Sequence, residues 1–126
     1  MPAGGWSTTV AVTIRDARSS KDDREWVRAV YRDFRVAADF VGSLAVAGTD
    51  GTTLHRMEKS VAERYVRAKT GTLNGVSCLS GYAGAPGRVP LAFSILMNDV
   101  PDTATPEARR AQDAIAEALV AFLAAP

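Results

Sequence analysis

The chain has 126 residues, enough for one domain with a real core and short of the two-lobed sizes common among enzymes. Its 15 basic and 14 acidic side chains leave a formal net charge of +1, which gives no electrostatic case for nucleic acid or an anionic membrane as partner. One cysteine excludes an internal disulfide, and one histidine with scattered carboxylates shows no ligand spacing, so neither metal nor organic cofactor is implied.

The opening residues, MPAGGWSTTVAVTIRD, lack a basic leader and a sustained apolar run and do not read as a signal peptide. No stretch reaches transmembrane length, so the chain as written is expected to stay in the cytoplasm. From Trp6 to Asp16 the pattern alternates, with Trp6, Thr8, Val10, Val12 and Ile14 on one face, which predicts a half-buried strand. Residues 17–23 are a polar break with helix N-cap candidates in Ser20, Asp22 and Asp23. An amphipathic helix is predicted from Arg24 to Val41, burying Trp26, Val30, Phe34, Ala37 and Val41. Residues 42–53 read as a loop in which Gly48 and Gly51 serve turns. Residues 54–64 read as a short polar helix or irregular segment, with His55, the only histidine, as a solvated surface side chain without a partner to fix it.

The stretch Val66-Arg67-Ala68-Lys69-Thr70-Gly71-Thr72-Leu73 predicts an edge strand suited to meeting a ligand. Alternation puts Lys69 and Gly71 on one face and Thr70 and Thr72 on the other. Gly71 permits close approach to the backbone, the threonines can donate to an anion such as a carboxylate, and the lysine adds charge. Strands from Val76 to Ala83 and from Leu91 to Met97 follow, separated by a turn at Gly84 to Gly87, and complete an antiparallel meander. Cys78 reads as a small buried hydrophobe. A last helix begins at Thr105-Pro106-Glu107, in the order cap, proline and first-turn acid, with a buried stripe of Ala108, Ala111, Ile115, Leu119, Phe122 and Leu123. The fold class expected is α+β: the three-strand meander, plus an N-terminal strand, packed with helices.

Lys69-Thr70-Gly71 matches the third motif of the penicillin-recognising serine enzymes. Together with SLAVAGTDGTTLHRM (residues 43–57), VRAKTGTLNGVSCLSGY (residues 66–82) and LAFSILMN (residues 91–98), it resembles the C-terminal part of the D-alanyl-D-alanine carboxypeptidase/endopeptidase family, the class C low-molecular-mass penicillin-binding proteins. The resemblance runs from about Val27 to Leu123, so residues 1–23 are expected to be a strand-like segment without family counterpart and residues 24–126 a carboxypeptidase-like piece. P-type ion pumps share the letters Lys-Thr-Gly-Thr, but their nucleophilic aspartate is Ala68 here.

What the resemblance implies is the penicillin-binding/β-lactamase-like transpeptidase fold, a periplasmic or cell-envelope setting, and acyl transfer on a D-Ala-D-Ala-type peptide or a β-lactam. Lys69 would supply charge, Thr70 and Thr72 would bind the substrate carboxylate, Gly71 would allow close approach, and the Thr72 backbone N–H would be one oxyanion donor. Asp50, Gly51 and Thr52 would shape the site, with a plain turn as the competing reading. The family's nucleophile motif, Ser-x-x-Lys, is unmatched: Arg18, Arg56 and Val66 stand three residues before Lys21, Lys59 and Lys69. No Ser-x-Asn occurs. The expectation is a fragment without a catalytic residue, inactive alone, arising from a truncated or frame-shifted gene or from a distinct lineage. The alternative is a non-enzymatic module that offers its sheet edge to a partner, with a second copy or the missing N-terminal part as that partner.

Overall fold

The computed structural model describes residues 9–16 and 31–126. A five-stranded antiparallel sheet carries the structure, in the spatial order β1-β5-β4-β3-β2. The strands are β1 (Thr9–Asp16), β2 (Ala45–Val46), β3 (Val66–Leu73), β4 (Val76–Ala83) and β5 (Leu91–Asn98). Helices α1 (Ala37–Ser43) and α2 (Thr105–Ala124) join them among the described residues. The α+β expectation and the meander hold, and β1 adds to the meander by pairing with β5, Val12 opposite Ile95. The predicted strand start at Trp6, and the predicted helix before Tyr31, lie outside the described residues.

Register divides the sheet into two faces. Val66 and Ala68 of β3, Leu79 and Ala83 of β4, and Phe93, Ile95 and Met97 of β5 point the same way and are buried. The long helix α2 lies on that face and buries Ala108, Ala116, Leu119, Val120 and Leu123 there. At about 25 cal/mol per Å² of apolar surface removed from water, this layer is the main source of stability. On the other face, Tyr82 and Ala92 form a smaller cluster with Leu44, against which Tyr31, Phe40 and Val41 pack. Further along that face the side chains are small and polar, with Ser80 and Ser94 hydroxyls 2.8 Å apart.

Several expectations are corrected. The predicted continuous helix to Val41 is interrupted: Tyr31 and Arg32 are helical, a turn follows, and α1 starts only at Ala37. Asp33 causes the break, since its carboxylate accepts from the Arg35 backbone N–H at 3.0 Å and from the Arg35 guanidinium at 3.0 and 2.8 Å. These bonds hold the Asp33 carboxyl down at about 2, with the Arg35 side chain the largest cause. Phe34, predicted to be buried, is thereby turned out and is 97% exposed. The stripe on α2 is rotated from the predicted one: Ala111 and Phe122 are exposed, and Gln112 is buried in their stead. The start of α2 has no side-chain cap; a short 3-10 turn, Asp102–Ala104, leads into it and Pro106 sits in its first turn. Within the predicted loop 42–53, Ala45 and Val46 form β2, and Cys78 is half-buried.

Candidate functional site

The stretch singled out in the sequence is β3, and it is an edge over only part of its length. β2 pairs with Arg67 and Ala68, so the free edge begins at Lys69. The Val66 carbonyl accepts from the Ala47 N–H at 2.9 Å, on the β2 side. Because backbone groups of an antiparallel strand alternate in direction, the N–H and C=O of Ala68, Thr70 and Thr72 point the same way, those of Ala68 toward β2 and those of Thr70 and Thr72 toward the open edge. Those of Lys69 and Gly71 are used by β4.

Side chains complete the arrangement. Thr70 and Thr72 lie on the α2 face, Lys69 and Gly71 on the other, with Gly71 opposite Cys78. Lys69 curls over the edge, and its Nζ donates to the Thr70 carbonyl at 2.6 Å. Thr70 Oγ1 donates to Thr52 Oγ1 at 2.9 Å, which leaves the Thr52 proton to be directed at another acceptor. A groove of about 490 Å³ collects Thr52, Thr70, Gly71 and Thr72 with the cations Arg56, Lys69 and Arg109. No acidic side chain lines it among the described residues.

The turn before β3 presents Thr52. Asp50 Oδ1 accepts from the Val46 N–H at 2.7 Å, closing the turn that follows β2. Gly51 has φ +59°, and a Cβ there would stand 2.9 Å from the Ala45 Cβ, so position and space both demand glycine. Thr53 is buried and its hydroxyl donates to the Asp50 carbonyl at 3.2 Å, holding the 3-10 turn Gly51–Thr53. Asp50 and Gly51 therefore shape the segment without lining the groove, and Thr52 alone of the three enters it.

One part of the site has no counterpart in the sequence reading. Arg56 crosses from the irregular segment to α2, where its Nη2 lies 2.6 Å from Asp113 Oδ1 and its Nε donates to the same oxygen at 2.9 Å. Nη2 also donates to the Arg109 carbonyl at 3.1 Å and to Gln112 Oε1 at 3.0 Å. Gln112 is 0% exposed, and its Nε2 donates onward to Ser77 Oγ at 3.0 Å. Ser77 is the cross-strand neighbour of Thr72. The network thus ties the Thr52 segment, α2 and β4 together behind the groove. A polar stripe position on a helix is the only sequence signal that could have flagged it.

His55 does have a fixing partner, contrary to expectation: its Nδ1 lies 2.9 Å from Glu58 Oε1, both side chains well exposed and away from the groove. Among the described residues no three His, Cys, Asp or Glu side chains are placed to hold a metal ion, and no helix is long and apolar enough to cross a membrane.

Known proteins place this architecture. The sequence profile of the D-Ala-D-Ala carboxypeptidase 3 (S13) family matches residues 27–119. A D-alanyl-D-alanine carboxypeptidase from Actinomadura sp. (strain R39) is 43% identical over 91 residues, covering 68% of this chain and 16% of the relative. Among solved structures, penicillin binding protein 4 from Haemophilus influenzae is similar at 25% identity and a TM-score of 0.52, over 58% of this chain and 16% of that one. Its complex with a novel β-lactam aligns at 24% identity and a TM-score of 0.59, over 77% and 23%. A predatory peptidoglycan endopeptidase from Bdellovibrio bacteriovorus shares the fold, with 21% identity and a TM-score of 0.54 over 66% and 21%. The chain therefore spans 16% of the length of the curated relative.

Proposed function

The chain belongs to the D-Ala-D-Ala carboxypeptidase 3 (S13) family, and we propose that it is the substrate-holding piece of such a peptidase, one that binds a D-Ala-D-Ala-type peptide along β3 and performs no acyl transfer alone. The observation that carries this reading is the open edge at Thr70 and Thr72 beside Lys69, Arg109 and a hydroxyl pair. A peptide laid along that edge would meet outward backbone groups of Thr70 and Thr72. Its terminal carboxylate would accept from Thr52, whose own acceptor position is filled by Thr70, and lie in the field of Lys69 and Arg109. The Thr72 N–H would serve as one oxyanion donor, and a serine supplied by another polypeptide segment would be needed for the covalent step.

Inactivity of the chain alone rests on the unmatched Ser-x-x-Lys and Ser-x-Asn motifs. Incubation with a fluorescent penicillin followed by intact-mass measurement tests it. The expected spectrum contains only unmodified chain; a mass increase equal to one opened β-lactam would show a serine nucleophile here and overturn that part of the reading.

One observation favours a second reading, a non-enzymatic module that adds a partner strand: the edge from Lys69 to Leu73 ends in Leu73, which is 77% exposed. Concentration-dependent dimerisation in sedimentation experiments, abolished by Leu73→Lys, would support it.

A further inference from the structure

On the sheet face away from α2, at the far end of β3 from the groove, a second concavity of about 370 Å³ is walled by Tyr31, Tyr65 and Tyr82 and carries Arg64, Arg67 and Arg88. No Asp or Glu lines it among the described residues. Arg88 is engaged, its Nη2 donating to the Ala125 carbonyl at the end of α2 at 2.7 Å. Arg64 and Arg67 have no carboxylate partner among the described residues. In a chain whose net charge is +1, three guanidinium groups around one small hollow are a local concentration of like charge, which costs stability until an anion offsets it.

The backbone under these groups is fixed in advance. Arg64 holds φ at 68°, in the left-handed region, with its N–H donating to the Ala47 carbonyl at 3.0 Å. The Tyr65 carbonyl accepts from the Gly84 N–H at 2.8 Å, fastening the β4–β5 loop to the start of β3. Arg67 and Tyr82 are cross-strand partners, and the Tyr31 ring tilts onto Tyr82 with centroids 5.4 Å apart. Rings set beside planar forks of N–H donors match an oxyanion borne on a flat body, since guanidinium pairs bidentately with carboxylate or phosphate and the rings cover the apolar remainder.

We propose that this hollow is a second binding site, separate from the Lys69–Thr72 edge, for a small molecule or group that joins a carboxylate or phosphate to a planar ring. Its volume falls within the range of roughly 300–1,000 Å³ typical of small-ligand sites. Arg64 and Arg67 hold the oxyanion, and the half-exposed Tyr65 takes the ring.

Amide chemical-shift titrations of the full chain test this with four probes: phenyl phosphate, benzoate, inorganic phosphate and benzyl alcohol. The expected result is saturable movement of the amides of residues 64–67 and 84 with phenyl phosphate or benzoate, whichever is tighter identifying the anion. Benzyl alcohol and inorganic phosphate, each lacking half of the ligand, bind at least about tenfold more weakly. Arg64→Gln and Arg67→Gln each weaken the tighter probe by about tenfold, as does raising the salt concentration on the unaltered chain, a check that needs no variant. A D-Ala-D-Ala dipeptide leaves these amides unmoved. Equal binding of benzyl alcohol, salt-independent binding, or shifts confined to the amides of Lys69–Thr72 would overturn the proposal.

Discussion

Arg56 Nη2 donates to Gln112 Oε1 at 3.0 Å inside the interface between α2 and the segment that presents Thr52, and Gln112 has no exposed surface at all. An ordinarily surface-seeking amide thus sits in the centre of the buried stripe. It is satisfied on both ends, accepting from Arg56 and donating to Ser77.

Replacing Arg56 by Ala leaves the Asp113 carboxylate without its partner, the Arg56 and Asp113 side chains being 10% and 18% exposed. The expected loss is about 3 kcal/mol of unfolding free energy by urea titration. Gln112→Leu should cost about 1–3 kcal/mol, since Arg56 and Ser77 each lose a buried partner. In the Arg56→Ala, Asp113→Ala double variant the two losses should fall well short of additive. Additive losses would mean that the two side chains do not act as a pair.

Gly81→Ala should be the most damaging glycine substitution. A Cβ there would lie 2.0 Å from the Arg67 carbonyl oxygen and 2.7 Å from the Ala68 Cα, both backbone, so β3 would have to part from β4. A loss of about 3 kcal/mol or more is expected. At Gly75 a Cβ meets nothing, and only the φ of +74° counts against it, so Gly75→Ala should cost about 1–2 kcal/mol. Thermal unfolding of the two variants side by side measures the difference.

Phe122, on the predicted stripe of α2, contrasts with Phe93 of β5 in the observed packing. Phe93 is 1% exposed in the main core and Phe93→Ala should cost about 3–5 kcal/mol. Phe122 is 71% exposed, and Phe122→Ala should change stability by less than about 0.5 kcal/mol. A large loss at Phe122 would restore the stripe expected from the sequence.

Burial, and secondarily the neighbouring Tyr31, push the Tyr82 phenol up to about 12. In the unfolded chain it ionises near 10, so the unfolded state loses its proton first as the solution becomes alkaline. The stabilisation from keeping the phenol neutral is whole below pH 10 and is lost as pH rises from 10 through 12. Melting temperature should fall across that window, and Tyr82→Phe should flatten this component of the fall.

β3, β4 and β5 were legible in the sequence, and each lies within a residue of its expected ends. Lys69 and Gly71 could be placed on one face and Thr70 and Thr72 on the other from alternation alone; the hydrogen bond from Thr70 to Thr52 could not. What the pattern hid depends on individual side-chain bonds. Asp33 ends a helical run that hydrophobic spacing carries through to Val41. Gln112 displaces Ala111 from the buried stripe because Arg56, distant in sequence, gives it a partner. Arg56 itself looks like one more surface cation until the fold sets it against α2. Ala45 and Val46 form too short a strand to show a period.

Carboxylate binding along β3 is tested most directly by titrating the chain with an N-acylated peptide ending in D-Ala-D-Ala, followed at the amides of Thr70 and Thr72, with the C-terminal amide of the same peptide as comparison. Saturable shifts at those two residues are expected for the free acid, weakening by about tenfold for the amide and for Lys69→Ala. Shifts of equal size with acid and amide, or none at Thr70 and Thr72, would contradict the assignment of the β3 edge as a carboxylate-binding strand.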